Sequence, residues 1–330
     1  MTASDKAAPR PLVAVTGASG FVGRRLVADL VRAGYRVRAP IRRGPGPKAD
    51  GIDYRETGPL EDCSELEPLL AGATALIHLA ARVHRKDDGS PEIAAAFRRV
   101  NVELTQRFAT AARAQGLARF LFVSSIGAAI AEGTQTGFDR PNDYQRSKLA
   151  GERALAEALA GSETDFVVAR PPLVYGAEAP GSFGSLTKAV CLCLPLPLAS
   201  LENLRSLVYV GNLSDALRHL LEHAQAAGRI VPVSDGNAVT PPELARNLAR
   251  ALGRPALLLP CPPALLSLAG QLARQEDRVS NLVQPLLVDD TVLHRELGWQ
   301  PPYDLQSALA ETATRLAEGA GKGVPRPEPS

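Results

Sequence analysis

Short apolar runs alternate with longer stretches of helical spacing through the first half of the chain. Leu12-Val13-Ala14-Val15-Thr16 has the β-branched, unbroken apolar character of a buried strand. Gly17, Gly20 and Gly23 follow at i, i+3 and i+6, and a helical pattern begins. Further strands are expected at Arg36–Ile41, at Ala73–Ala81 ending in small residues, at Phe120–Ser125, and at Phe166–Arg170, where Pro171-Pro172 stops the run. Between them the spacing predicts a long amphipathic helix over Pro91–Gln115 closed by Gly116, a loop holding Gly133, Gly137 and Pro141, and a helix from an Asn142 or Asp143 cap to about Ala160. This alternation predicts an α/β fold: a doubly wound parallel sheet of Rossmann type with helices on both faces.

Past Tyr175 the pattern breaks into Pro- and Gly-punctuated pieces. They hold a short strand at Ser206–Val210 and helices near 212–225, 240–252, 263–274, 289–297 and 305–318. The expected organisation is therefore a disordered 1–10, a dinucleotide-binding domain over 11–175, a smaller substrate-binding lobe over 176–318 with some segments rejoining the core, and a disordered tail at 319–330.

The 330 residues are 45% apolar and 22% charged, as in a soluble globular protein, and a net charge of +2 offers no face for nucleic acid. Cys63, Cys191, Cys193 and Cys261 form neither a disulfide framework nor a zinc-type pair of pairs, which fits a reduced, cytoplasmic setting and no metal. No secretory leader pattern precedes the first strand. Pro255–Ala273 is the most apolar later stretch, but Pro255, Pro260, Pro262 and Pro263 break any spanning helix. It reads as a core or lid helix, with contact at a membrane surface as the lesser alternative.

Glycines after the first strand let the chain reverse sharply and bring backbone N–H groups to a pyrophosphate, and the helix opening at Gly20 aims its free amides at the same place. An ordinary βα turn is the plain alternative; position within a βαβ unit favours the phosphate reading.

Tyr144 and Lys148 stand at i and i+4 on one helical face. Proton transfer at neutral pH needs the phenol moved from its ordinary value, which a neighbouring ammonium and the positive ring of an oxidised nicotinamide would supply. Ser125, at a strand end, can hydrogen-bond the substrate oxygen that the tyrosine protonates, whereas Ser124 reads as a serine satisfying local backbone.

With these features the chain resembles the extended short-chain dehydrogenase/reductase family, in particular bacterial nucleotide-sugar 4-epimerases and 4-keto reductases of surface-polysaccharide pathways. The marks are Thr16 to Gly23, His78 to Ala81, the Asn101 helix, Ser124-Ser125, Tyr144 to Lys148, Arg170 to Gly176, Arg205 to Val208, Val233 to Gly236 and Leu297 to Pro301. The resemblance implies that Ser125, Tyr144 and Lys148 are catalytic, with Ser125 and Tyr144 also meeting substrate. It implies a dinucleotide held by Gly17, Ser19, Gly20, Phe21, Val22, Gly23, Leu60, Leu79, Ala80, Ala81, Asn101, Tyr144 and Lys148, with Pro171, Pro172 and Leu173 bordering the nicotinamide. It further implies a substrate diphosphate paired with Arg205 near Ser182 and Phe183, and a homodimer formed through the helices around Val100 and Leu149. Ile126-Gly127 stands where dehydratases of the family carry an Asp-Glu pair, which disfavours a 4,6-dehydratase. Pro59-Leu60 replaces a common aspartate near the adenine, and Gln145 replaces the usual glycine after the tyrosine.

An acid normally holds the ribose 2′-OH of NAD, yet none occurs from Tyr35 to Ala49, where Arg36, Arg38, Arg42, Arg43 and Lys48 stand. Arg42 and Arg43 lie just past the strand end, so NADP(H) is favoured over NAD(H). The expected activity is 4-epimerisation of a UDP-hexose or UDP-N-acetylhexosamine by transient C4 oxidation. The alternatives are NADPH-dependent reduction of a 4-keto nucleotide sugar, reduction of a lipophilic ketone, and a non-catalytic cofactor-binding role.

Overall fold

A computed structural model describes residues 11–44, 50–83, 90–135, 141–272 and 282–320. Residues 1–10, Lys48, Gly137 and 321–330 lie outside the described residues, so the disorder expected of both termini is not addressed. The chain divides into two units. One holds the residues up to Thr134, Pro141–Arg170 and Leu217–Val231; the other holds Gln135, Pro171–Ala216 and the residues from Pro232.

The first unit is built on β1 (Leu12–Thr16), α1 (Phe21–Arg32), β2 (Arg36–Ile41), β3 (Ile52–Glu56), α2 (Glu67–Leu70), β4 (Ala75–His78), α3 (Pro91–Arg98), α4 (Leu104–Ala114), β5 (Arg119–Val123), α5 (Ile126–Glu132), α6 (Asp143–Ala158) and β6 (Asp165–Arg170). With β9 (Ile230–Pro232) the strands form a seven-stranded sheet in the order β3-β2-β1-β4-β5-β6-β9, parallel from β3 through β6. This is the Rossmann-like arrangement the alternation predicts. The order reverses at β1, whose neighbours are β2 and β4; at such a switch point, connections leave on opposite faces and open a crevice at the strands' carboxyl ends. Pairing of Thr16 with His78 and of His78 with Phe122 sets the ends of β1, β4 and β5 level. Beneath them Phe108, Phe120, Phe122, Leu76 and Leu155 pack into one core.

Three local features depart from the sequence reading. The long helix over Pro91–Gln115 is interrupted by a π-helical turn at Arg99–Glu103, centred on Asn101. The loop expected after Ser125 begins as α5: Ser125 caps it by accepting from the Gly127 amide, and Ile126 to Ile130 are all buried, so no polar face betrays the helix in the pattern. Strand β3 carries Asp53, Arg55 and Glu56 at a sheet edge, where the apolar signature of a buried strand is not required.

The second unit contains β7 (Leu173–Tyr175), α7 (Gly181–Cys191), β8 (Arg205–Tyr209), the start of α8 (Val210–Glu222), β10 (Ala238–Val239), α9 (Pro241–Ala251), α10 (Pro263–Leu272) and α11 (Leu305–Ala320), which carries Gly319 into the helix. Its sheet, β10-β8-β7, is mixed rather than parallel: β7 runs with β8, and β10 runs against it. The helix expected near 289–297 is a single π-helical turn at Val292–Glu296, and α7 is additional.

Candidate active site

The turn after β1 depends on two missing side chains. Gly17 has φ +68°, and a Cβ there would lie 2.9 Å from the Ala80 nitrogen and the Leu79 carbonyl carbon; a Cβ on Gly23 would lie 2.1 Å from the Gly17 oxygen. Turn, helix α1 and the end of β4 therefore interlock at backbone distance, and Leu79, Ala80 and Ala81 sit half-buried beside the turn. Gly20 donates to the Gly17 carbonyl at 3.0 Å and opens α1 without a side-chain cap. The first amides of that helix, at Phe21, Val22 and Gly23, thus have no intrahelical acceptor. Ser19 is exposed, and its carbonyl accepts from Arg24 Nη1 at 2.9 Å. A tight glycine turn leading into uncapped helix amides fits a dinucleotide pyrophosphate.

A buried hydrogen-bond chain fixes this turn to the neighbouring strand and helix. Thr105 Oγ1 donates to the Asn101 carbonyl at 2.9 Å and so accepts from His78 Nε2 at 3.3 Å. His78 Nδ1 then accepts from Thr16 Oγ1 at 2.7 Å, and Thr16 Oγ1 accepts from the Ala80 amide at 3.2 Å. Burial, with the Lys148 charge adding to it, lowers His78 to about 3, so the ring stays neutral and the proton order is fixed. Asn101 is buried: Oδ1 accepts from the Arg82 amide at 2.8 Å, and Nδ2 donates to the Arg82 carbonyl at 3.1 Å and to Ser147 Oγ at 2.9 Å. Its side chain is spent on the protein, which makes it a positioning residue. Thr16, His78, Thr105 and Ser147 were not assigned roles from sequence; a buried polar cluster has no periodic signature.

Ser125, Tyr144 and Lys148 meet at the end of β5. Asn142 and Gln145 form a reciprocal capping box that starts α6 immediately before the tyrosine, so the Gln145 side chain is used in capping the helix. Lys148, 1% exposed, donates from Nζ to the Val123 carbonyl at 2.9 Å and lies 4.2 Å from the centre of the Phe122 ring. Burial brings its pKa down to about 7, opposed by Glu152. Burial pushes the Tyr144 phenol up, and its hydrogen bond with Ser125 acts in the other direction. The expectation that the Lys148 ammonium acidifies the phenol is corrected here: the amine is directed at Val123 and is itself partly discharged.

Behind the triad, Glu152 accepts from Arg170 at 2.5 Å and from the Ser124 hydroxyl, with Arg170 also reaching Glu132 at 3.0 Å. Ser124, read as satisfying local backbone, instead bonds a buried carboxylate. Glu152 follows Lys148 by one helical turn; that spacing was the available signal.

Residues 13–233 match the model of the NAD dependent epimerase/dehydratase family. The chain is 35% identical to UDP-glucose 4-epimerase of Vibrio cholerae over 323 residues, covering 95% of this chain and 97% of that protein. The chain belongs to this family. It is an NAD(P)-dependent epimerase/oxidoreductase of the extended short-chain dehydrogenase/reductase type. It is also 26% identical to N-acetyl-alpha-D-glucosaminyl-diphospho-ditrans,octacis-undecaprenol 4-epimerase of Escherichia coli O157:H7, covering 91% of this chain and 93% of that one. UDP-glucuronic acid 4-epimerase from Bacillus cereus, solved in complex with NAD, shares the fold at a TM-score of 0.73 and 18% identity, covering 93% and 97% of the two chains.

Among the other residues read as family sites, Arg42 and Arg43 are exposed just beyond β2, while Arg38 is held by Asp53 at 2.9 Å and by the Ala71 carbonyl at 2.6 Å. Leu60 packs against the core of the first unit. In the second unit Pro171 and Pro172 are buried ahead of Leu173, which pairs with Leu207. Ser182 is exposed on the first turn of α7. Phe183 is corrected from a substrate contact to a core residue: it is 1% exposed, with its ring 5.5 Å from that of Tyr175. Arg205 donates to the Gln284 carbonyl at 2.5 Å, pairs with no carboxylate among the described residues, and is lowered by burial to about 10. A desolvated guanidinium held only by a carbonyl retains donors for an anion.

Proposed function

We propose that the protein is a nucleotide-sugar 4-epimerase that inverts C4 of a UDP-hexose or UDP-N-acetylhexosamine through a transient 4-keto sugar. The observation that carries this reading is the buried Lys148 amine bonded to the Val123 carbonyl, one helical turn from Tyr144 and next to Ser125 on the strand end two places from the glycine turn in sheet order. Ser125 donates to the sugar O4, and Tyr144 takes the O4 proton as C4 becomes a carbonyl, then returns it after the sugar turns over. Lys148 holds the ribose of the dinucleotide, whose pyrophosphate rests on the amides after Gly20, and in the second unit Arg205 has the donor set to suit a diphosphate. The nicotinamide, when bound, supplies the hydride acceptor and the positive charge that makes the phenol acidic enough to work near neutral pH. A homodimer in the cytoplasm, serving polysaccharide assembly, completes the reading.

The Vibrio cholerae relative supports a UDP-hexose. The Escherichia coli relative is named for a substrate whose diphosphate is joined to a polyprenol, and Arg205 would read the group common to both. A second reading rests on Arg42 and Arg43, which suit a 2′-phosphate and therefore NADPH-driven reduction of a 4-keto nucleotide sugar. Incubation of the protein with UDP-glucose or UDP-N-acetylglucosamine without added cofactor separates the two. C4 inversion seen by proton NMR establishes the epimerase, and turnover that awaits both a 4-keto sugar and NADPH establishes the reductase.

A further inference from the structure

Single exposed leucines are ordinary on a protein surface. The second unit, however, exposes Leu192, Leu194, Leu257, Leu259, Leu265 and Leu268, each between 45% and 69% accessible. Backbone bonds bring these segments together: Leu196 donates to the Leu257 carbonyl at 2.7 Å, and Leu259 donates to the Leu196 carbonyl at 2.8 Å. Around this pairing Leu258 points into a small core with Leu196, Leu198 and Leu266, so the strand-like alternation sends Leu257 and Leu259 outward. In α10, Leu266 joins the same core while Leu265 and Leu268, one turn apart, face out. The segment ahead of the pairing holds Cys193 in the left-handed region, with φ 50°.

The charge next to this cluster along the chain is mostly basic, with Glu243 beside Arg246 at the far end of α9. Pro255–Leu272 contains no Asp, Glu, Lys or Arg, and it is preceded by Arg246, Arg250 and Arg254, exposed at every fourth position along α9 and the turn after it. No helix among the described residues is long and apolar enough to cross a membrane. We propose that these leucines and arginines form a docking surface for an anionic lipid bilayer, on which the second unit lies without spanning it. Leucine side chains would enter the acyl boundary while the arginines pair with lipid phosphates. A second copy of the chain is the competing occupant, and the test below separates it from a bilayer.

The inference is independent of the epimerase reading, and its test needs no turnover. The full-length protein is sedimented with vesicles of phosphatidylcholine alone and with vesicles containing roughly a third phosphatidylglycerol. It is expected to pellet with the anionic vesicles, less so as salt rises. The doubles Leu265→Glu/Leu268→Glu and Arg250→Glu/Arg254→Glu should each weaken binding by about tenfold or more with melting temperatures unchanged. Absence of binding to anionic vesicles overturns the proposal. So does a soluble dimer that the leucine double converts to a monomer, which would assign the surface to a second copy.

Discussion

The Lys148 amine donates to the Val123 carbonyl at 2.9 Å and is held over the Phe122 ring, so a titratable group sits in a nearly dry pocket. Burial lowers its pKa from 10.5 to about 7. The unfolded chain therefore binds more protons across that interval, and the cost of burying the ammonium is felt in full below it and vanishes above it. Lys148→Met should raise stability at neutral pH by up to about 4 kcal/mol while lowering turnover by about 100-fold or more. Melting temperatures of the two proteins should converge as pH rises from about 7 toward 10.5.

The Glu152–Arg170 pair sits 4% and 6% exposed, and removing Glu152 leaves the buried Arg170 charge only its bond to the part-exposed Glu132. Glu152→Gln should cost about 3 kcal/mol in chemical denaturation. Glu132, 35% exposed, can turn to water if Arg170 is removed. Glu152→Leu/Arg170→Met should therefore recover much of the loss. A double that is no better than the single would mean that the Ser124–Glu152 bond, rather than the ion pair, holds the site.

The elements that bury one strong pattern were legible in the sequence. The glycine turn shows because sterics allow few residues at Gly17 and Gly23, and the Tyr144–Lys148 pair shows because helical spacing is local. What stayed hidden depends on contacts distant in sequence. The His78–Thr16–Thr105 chain joins three elements, and only their assembly reveals that Asn101 is consumed by Arg82 and Ser147. Helix α5 escaped because it is buried on every side and lacks a polar face. Phe183 was misassigned because a motif position says nothing of whether a ring turns toward a ligand or toward Tyr175.

Asp235 receives the Tyr209 amide at 3.0 Å and Asn212 Nδ2 at 2.8 Å, while Asn212 also binds the Tyr303 backbone, so one carboxylate ties three segments of the second unit. Burial nevertheless raises it to about 6, with those hydrogen bonds opposing. The folded state then binds the proton more tightly than the unfolded state between about pH 4 and 6, and stability falls as pH rises through that window. Relative to Asp235→Asn, which retains one acceptor and cannot ionise, the wild type should lose about 3 kcal/mol across it. Parallel denaturation curves for the two proteins over the same window would show that burial does not penalise the carboxylate.

Arg42 and Arg43 lie past the end of β2, and Arg38 cannot substitute for them because Asp53 and the Ala71 carbonyl already hold it. If this exposed pair reads a 2′-phosphate, its contribution is a charge-assisted contact weakened by solvent. Arg42→Ala/Arg43→Ala should then weaken NADPH binding by about tenfold and leave NADH within about twofold. The selective loss should shrink as ionic strength rises, because exposed charges are screened over about 10 Å at ordinary salt. Fluorescence titration of both reduced cofactors distinguishes this from a general basic field, which would weaken the two alike. A wild-type protein that binds NADH more tightly than NADPH would remove the 2′-phosphate reading, and with it the argument favouring net reduction over epimerisation.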